Sequence, residues 1–202
     1  MLQRLHGALE QISRIAVWCG GGALLAAAVM VTVDVLLRKF FSITMSGSDE
    51  ISGYVFAAGT TWAYSYCLLH RSNVRIDAVY NFLPRPVKAV LDIVGVALLL
   101  GYMLLLTEKA VQMFVTSWEN NSVSISTLAV PLWIPQLFWV AGLFLFVATL
   151  VVVTLHALVG LLTGDLDQVQ RVAGVRSMEE EIEEETHGMG GPHTPATHAE
   201  GV

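Results

Sequence analysis

Two histidines, His70 and His156, fall near the same end of two long apolar runs. Paired imidazoles at similar depth in a helical bundle are what a bis-histidine haem requires. Each also sits near a helix end among Tyr, Thr and Ser neighbours that offer ordinary hydrogen bonds. Carboxylates are the other groups with chemical reach. Asp34 stands four residues before Arg38, and Asp92 four after Lys88, a spacing that pairs charges on one helix face. Glu50 heads another apolar run, where a helix N-terminus favours an anion. A helix-start role and a contact with a partner both suit it. His187, His193 and His198 have metal-ligand chemistry, but their Gly, Pro and Thr neighbours read as a solvated tail. Cys19 and Cys67 show no zinc or disulfide spacing and read as small buried residues. The chain has no Gly-rich phosphate loop, paired His/Glu metal motif or nucleophile elbow. We expect no enzyme, no catalytic residue, no resident metal and no cofactor.

The elements that hold these residues are built for lipid. The chain has 202 residues, 54% hydrophobic and 14% charged, with a mean hydropathy of +0.62. A soluble domain of this size carries about a quarter charged residues. The formal net charge of −6 owes much to the run Glu179–Glu185, and nothing resembles a nucleic-acid surface.

The pattern predicts an all-α membrane protein with four transmembrane helices. Residues 1–15 form an amphipathic lead-in, with Leu2, Leu5, Leu9, Ile12 and Ile15 at helical spacing at the membrane surface. The membrane domain covers 16–164. Its spans run over about 16–37, 51–69, 87–106 (extending towards 118) and 134–162. Ser48, Asp49 and Glu50 supply an N-cap and an acidic first turn to the second span. Counted to Trp118, the third span is roughly 45 Å long against a ~30 Å hydrocarbon core, so it tilts or projects. Trp18, Trp118, Trp133 and Trp139 suit interfacial belts, whereas Trp62 is mid-span and reads as helix packing. Residues 165–202 form an acidic, disordered cytoplasmic tail.

With the N-terminus inside, Arg4, Arg14, Arg71, Arg75, Arg85, Lys88, Arg171 and Arg176 face the cytoplasm. Arg38, Lys39 and Lys109 face outward. That bias predicts both termini inside. The cytoplasmic linker 70–88 then carries an apolar stripe, Ile76, Val79, Tyr80 and Leu83, beside Arg71 and Arg75. We expect a short amphipathic helix over 73–83, lying on phospholipid or against a partner.

The order of landmarks resembles a known family. Arg38 closes the first run, "SDEISGYVFAAGTTWAYSYCLLHRSNVRIDAVYNFLP" follows from Ser48, and "PLWIPQ" enters the last run. The likeness covers about residues 12–162 and is to the DctQ-type small membrane subunit of tripartite ATP-independent periplasmic (TRAP) transporters. Glu50 matches the acidic residue that heads the second span in that family. Arg71, Val74, Ile76 and Asp77 match its basic linker, while the linker's usual Gly and His are replaced around Ser72 and Asn73.

The resemblance implies a small permease subunit of a sodium-coupled symporter in the bacterial inner membrane, importing an organic acid. A large membrane subunit moves the substrate, and a periplasmic binding protein delivers it. The small subunit is then a scaffold and a docking surface. Its expected contacts with subunits or lipid are Glu50, Arg71, Arg75, Ile76, Asp77, Val79, Tyr80 and Leu83. The alternative is a b-haem membrane anchor of a respiratory complex.

Overall fold

The computed structural model describes residues 2–70 and 84–163. Within them the chain is helical, with one isolated antiparallel bridge between Val123 and Pro131. The helices are α1 (Leu2–Phe41), α2 (Ser48–Leu69), α3 (Arg85–Glu119) and α4 (Trp133–Thr163). At 1.5 Å per residue they are roughly 60, 33, 52 and 46 Å long. By length and composition, α1, α3 and α4 can each cross a membrane. The second expected span, α2, is long enough. Its Ser, Thr, Tyr and Gly residues leave it outside that group.

Two element boundaries differ from expectation. The lead-in is not separate, because residues 2–15 continue into the first span as one unbroken helix. No proline interrupts it, and in lipid a helix satisfies its own backbone groups. α3 begins one residue before Pro86. Pro84 is extended at its N-cap (φ −66°, ψ 150°). Pro86 occupies the first turn, where a missing N–H costs no intrahelical bond.

α1 packs on α2, α2 on α4 and α4 on α3, with a smaller α1–α4 contact. The spatial order is therefore α1–α2–α4–α3. The two edge helices each bury a seven-residue repeat. On α1 it is Ser13, Gly20, Ala27 and Asp34; on α3 it is Ala89, Val96, Met103, Ala110 and Ser117. A 3.5-residue period keeps one narrow seam on the partner, as in coiled coils. The inner helix α4 buries two faces, with Leu143, Leu150, Val153 and Ala157 in the main apolar cluster. Three buried threonines on the inner helices bond back to the preceding turn: Thr61 to Ala57, Thr149 to Leu145 and Thr154 to Leu150. Helix pairs in lipid tolerate such residues because no backbone polar group is left open.

Candidate interaction surface at the loop end

Asp34 pairs with Arg38, as its spacing predicted. Arg38 Nη2 donates to Asp34 Oδ2 at 2.6 Å. The carboxylate does more than the spacing disclosed. Its Oδ1 accepts from the Met45 backbone N–H at 2.6 Å, and its Oδ2 accepts from Ser48 Oγ at 3.1 Å. Asp34 is 1% exposed and ties the end of α1, the loop 42–47 and the head of α2 into one corner. This corrects the capping assignment. The N-cap of α2 is Gly47, at φ 92°, and no side chain caps the helix. The Ser48 hydroxyl is drawn to Asp34 instead, while Asp49 and Glu50 do form the acidic first turn.

Glu50, just outside the apolar stretch that begins at Ile51, forms a second tie. It accepts hydrogen bonds from Tyr54 one turn along α2 and from Ser126 in the α3–α4 loop. That loop is itself braced: Ser124 N–H donates to the Val130 carbonyl at 2.9 Å and Leu132 N–H to that of Ser122 at 2.9 Å. Thr127 Oγ1 donates to Ser46 Oγ at 2.9 Å, joining the two loops again. At Gly47 a side chain is doubly disfavoured. Its φ is left-handed, and a Cβ would lie 2.0 Å from Leu128 Cδ1. The hydroxyls of Ser124, Ser126 and Tyr54 hold the Glu50 carboxyl below its ordinary value, outweighing the opposite push of burial. The locked loop carries Ile125 fully exposed at its apex and Val123 half exposed beside it.

Below this lock, α1, α2 and α4 enclose an open apolar groove of about 400 Å³. Gly20, Ala23, Ala58 and Gly59 form part of its lining, with Trp62 and Phe138. A Cβ on Gly20 would stand 3.2 Å from the Gly59 Cα, so the two backbones touch. Trp62, expected to pack between helices, donates from Nε1 to the Phe138 carbonyl at 2.8 Å.

The histidines of the haem alternative have other neighbours. His70 stacks on Tyr66 at 3.9 Å, and His156 meets His6 edge-on at 5.7 Å. Each ring Nδ1 lies 3.1 Å from the carbonyl one turn earlier, so the tautomer with a proton on that nitrogen donates. Among the described residues no three His, Cys, Asp or Glu side chains gather as a metal site. Of the expected contact residues, Glu50 is placed in the loop lock. Arg71, Arg75, Ile76, Asp77, Val79, Tyr80 and Leu83 lie outside the described residues.

The site can therefore hold surfaces in place. Asp34 and Glu50 both accept bonds from this chain's own donors, which fixes corners rather than presenting a proton acceptor. Sequence reasoning missed Ser124 and Ser126 as partners of Glu50. The only signal was a serine-rich loop, "NNSVSIST", far along the chain.

No curated protein and no solved structure matches the chain. The family description "Tripartite ATP-independent periplasmic transporters, DctQ component" matches residues 27–162. That range takes in the α1–α2 corner, the α2 and α4 walls of the groove and the loop lock, and it exceeds half of the sequence. The chain belongs to the DctQ family of TRAP-transporter small membrane subunits.

Proposed function

We propose that this chain is the small permease subunit of a sodium-coupled importer of organic acids, acting as a fixed scaffold for a large transport subunit. Its place is the bacterial inner membrane. A periplasmic binding protein docks at the loop end. The observation that carries the reading is the fate of the two carboxylates at that end. A carrier needs polar groups free to balance an organic anion and its coupling ions. Here Asp34 and Glu50 lock helix corners instead. Broad exposed apolar faces on α1 and α3 suit lipid and a large membrane partner.

In this reading α2 also crosses. It runs beside α1 and α4 at the depth of the groove, and its Thr60 and Thr61 hydroxyls bond within its own helix. Both termini face the cytoplasm. Alkaline phosphatase fused near Asn121 should be active, and fused after Val172 inactive. The reverse pattern would overturn the topology.

Reconstitution tests the role. The chain alone in vesicles should move no organic acid under a sodium gradient. With its large subunit and a loaded binding protein, the set should transport. Sodium-dependent uptake by the lone chain would overturn the scaffold reading.

A further inference from the structure

The apolar bands of the four helices are not level with one another. Three contacts measure the offset: Gly20 against Gly59, Gly142 against Thr61, whose side chain an added Cβ would overlap, and Trp133 against Trp118, with ring centroids 4.8 Å apart. Counting residues along each helix from these contacts places Gly20 of α1 beside about Val111 of α3. The charged residues that bound each band can then be compared. On α1 the band lies between Arg14 and Arg38, and on α3 between Lys88 and Glu108. Its centre is Leu25 on α1 and Leu98 on α3, and both side chains are exposed, at 72% and 70%. Along the helix direction those centres are roughly 27 Å apart.

The offset is a staircase. Taken in spatial order, the outward limits Arg38 (α1), Glu50 (α2) and Glu108 (α3) step down in one direction. The inward limits Arg14 (α1), Leu69 (α2), Thr163 (α4) and Lys88 (α3) follow the same slope, the last two nearly level. An upright layer centred on α1 would leave Leu91, Val94, Leu98 and Leu105 of α3 in water. Centred on α3, it would strand Leu25, Val29 and Val33 of α1. All seven are exposed on the protein surface.

We propose that the helices cross the bilayer obliquely, as a leaning layer whose lipid-facing surface is a diagonal apolar band. Three axis separations of about 9 Å span the layer. A roughly 27 Å climb over that width sets the lean near 45°, well beyond the usual ~20° for membrane helices. The proposal rests on these helices spanning the membrane and is independent of transport or partners.

Depth measurements test it without any uptake assay. In a Cys19→Ala, Cys67→Ala background of the full chain, nitroxide labels at Leu25→Cys and Leu98→Cys are read in lipid vesicles by oxygen and nickel-chelate relaxation. Oblique crossing puts both near the bilayer centre, at depths within about 10 Å of each other, and a larger separation overturns it. Polarised infrared spectroscopy of the unmodified chain in oriented bilayers guards against label artefacts. A mean helix tilt near 45° is expected, and one at or below about 30° overturns the proposal.

Discussion

The two edge helices attach to the same inner pair by opposite means. The α1 seam is Ser13, Gly20, Ala27 and Asp34, small residues ending in a buried carboxylate. The α3 seam is Ala89, Val96, Met103, Ala110 and Ser117, with larger apolar residues at its centre. Lipid tails are as apolar as leucine, so burying hydrocarbon between helices gains little over leaving it in the membrane. Association must come from close packing and from polar ties. α1 uses close backbone approach at Gly20 and a tie at Asp34. α3 uses length: a seam of nearly thirty residues against α4, with the loop lock beyond its C-terminal end.

The largest effect should come from cutting the α1 tie. Asp34→Ala leaves Ser48 Oγ, the Met45 N–H and the Arg38 guanidinium without their shared acceptor. Unpaired donors at a buried corner are costly. We expect most of the folded, detergent-extractable protein to be lost. The matching change on α3, Ser117→Ala, should leave yield and melting temperature nearly unchanged. Comparable losses from both would show that the two edges are held alike.

Next comes the contrast between glycines. A methyl on Gly20 meets the Gly59 backbone at 3.2 Å, whereas one on Gly101 of α3 meets nothing within 4 Å. Backbone cannot rotate aside as a side chain can, so α1 must shift outward. Gly20→Ala should destabilise by about 1–3 kcal/mol. Gly101→Ala should be neutral, or stabilise by up to about 1 kcal/mol through helix propensity. Thermal unfolding in one detergent measures both. A neutral Gly20→Ala would remove close approach from the account of α1.

Met103→Ala probes the α3 seam at its middle. In a water-soluble core such a truncation costs about 2–5 kcal/mol, much of it loss of transfer from water. In lipid that part is nearly absent, and the lost contacts remain. We expect about 1–2 kcal/mol, read as the change in unfolding free energy in mixed micelles. A loss of the full soluble size would mean that the α3–α4 seam faces water when it opens.

Much of this architecture was legible in the sequence, and the reason differs by feature. α3 and α4 are long apolar runs bounded by proline and polar residues: the run expected over 87–106, with a continuation towards 118, lies in one helix from Arg85 to Glu119, and that over 134–162 lies in Trp133–Thr163. The Arg38 pair was legible because i, i+4 spacing is local. The other partners of Asp34 lie 11 and 14 residues away, across a turn whose geometry no periodicity encodes. Glu50 meets Ser126 across 76 residues, and such a contact exists only after the helices have packed. Three consecutive glycines at 20–22 do not by themselves say which one lies at a packing face. Gly21 and Gly22 meet nothing, while Gly20 meets Gly59. The lead-in was separated from α1 by its amphipathic pattern, and polarity alone does not break a helix that lacks a breaker.

The smallest effect concerns the loop at the C-terminal end of α3, and it depends on pH. Glu50 is held below its ordinary value of 4.5 because the hydroxyls of Ser124, Ser126 and Tyr54 favour its charged form. A carboxyl depressed in the folded state stabilises that state above its unfolded value, and this contribution disappears as pH falls through the folded value. The lock is therefore intact at neutral pH and weakens only below pH 4.5. When protonated, Glu50 is a weaker acceptor for Ser126, and the loop 120–132 loses its strongest tie to α2. Trp118 and Trp133 flank that loop in ring contact, so their fluorescence reports its position. Titration from pH 7 to 3 should give a transition below 4.5 in the wild type and none in Glu50→Gln, which cannot ionise. The α1 corner does not use Glu50, so Gly20→Ala should leave the midpoint where it was. An unchanged acid transition in Glu50→Gln would move the lock to other residues, and α3 would then be held at its C-terminal end by its seam alone.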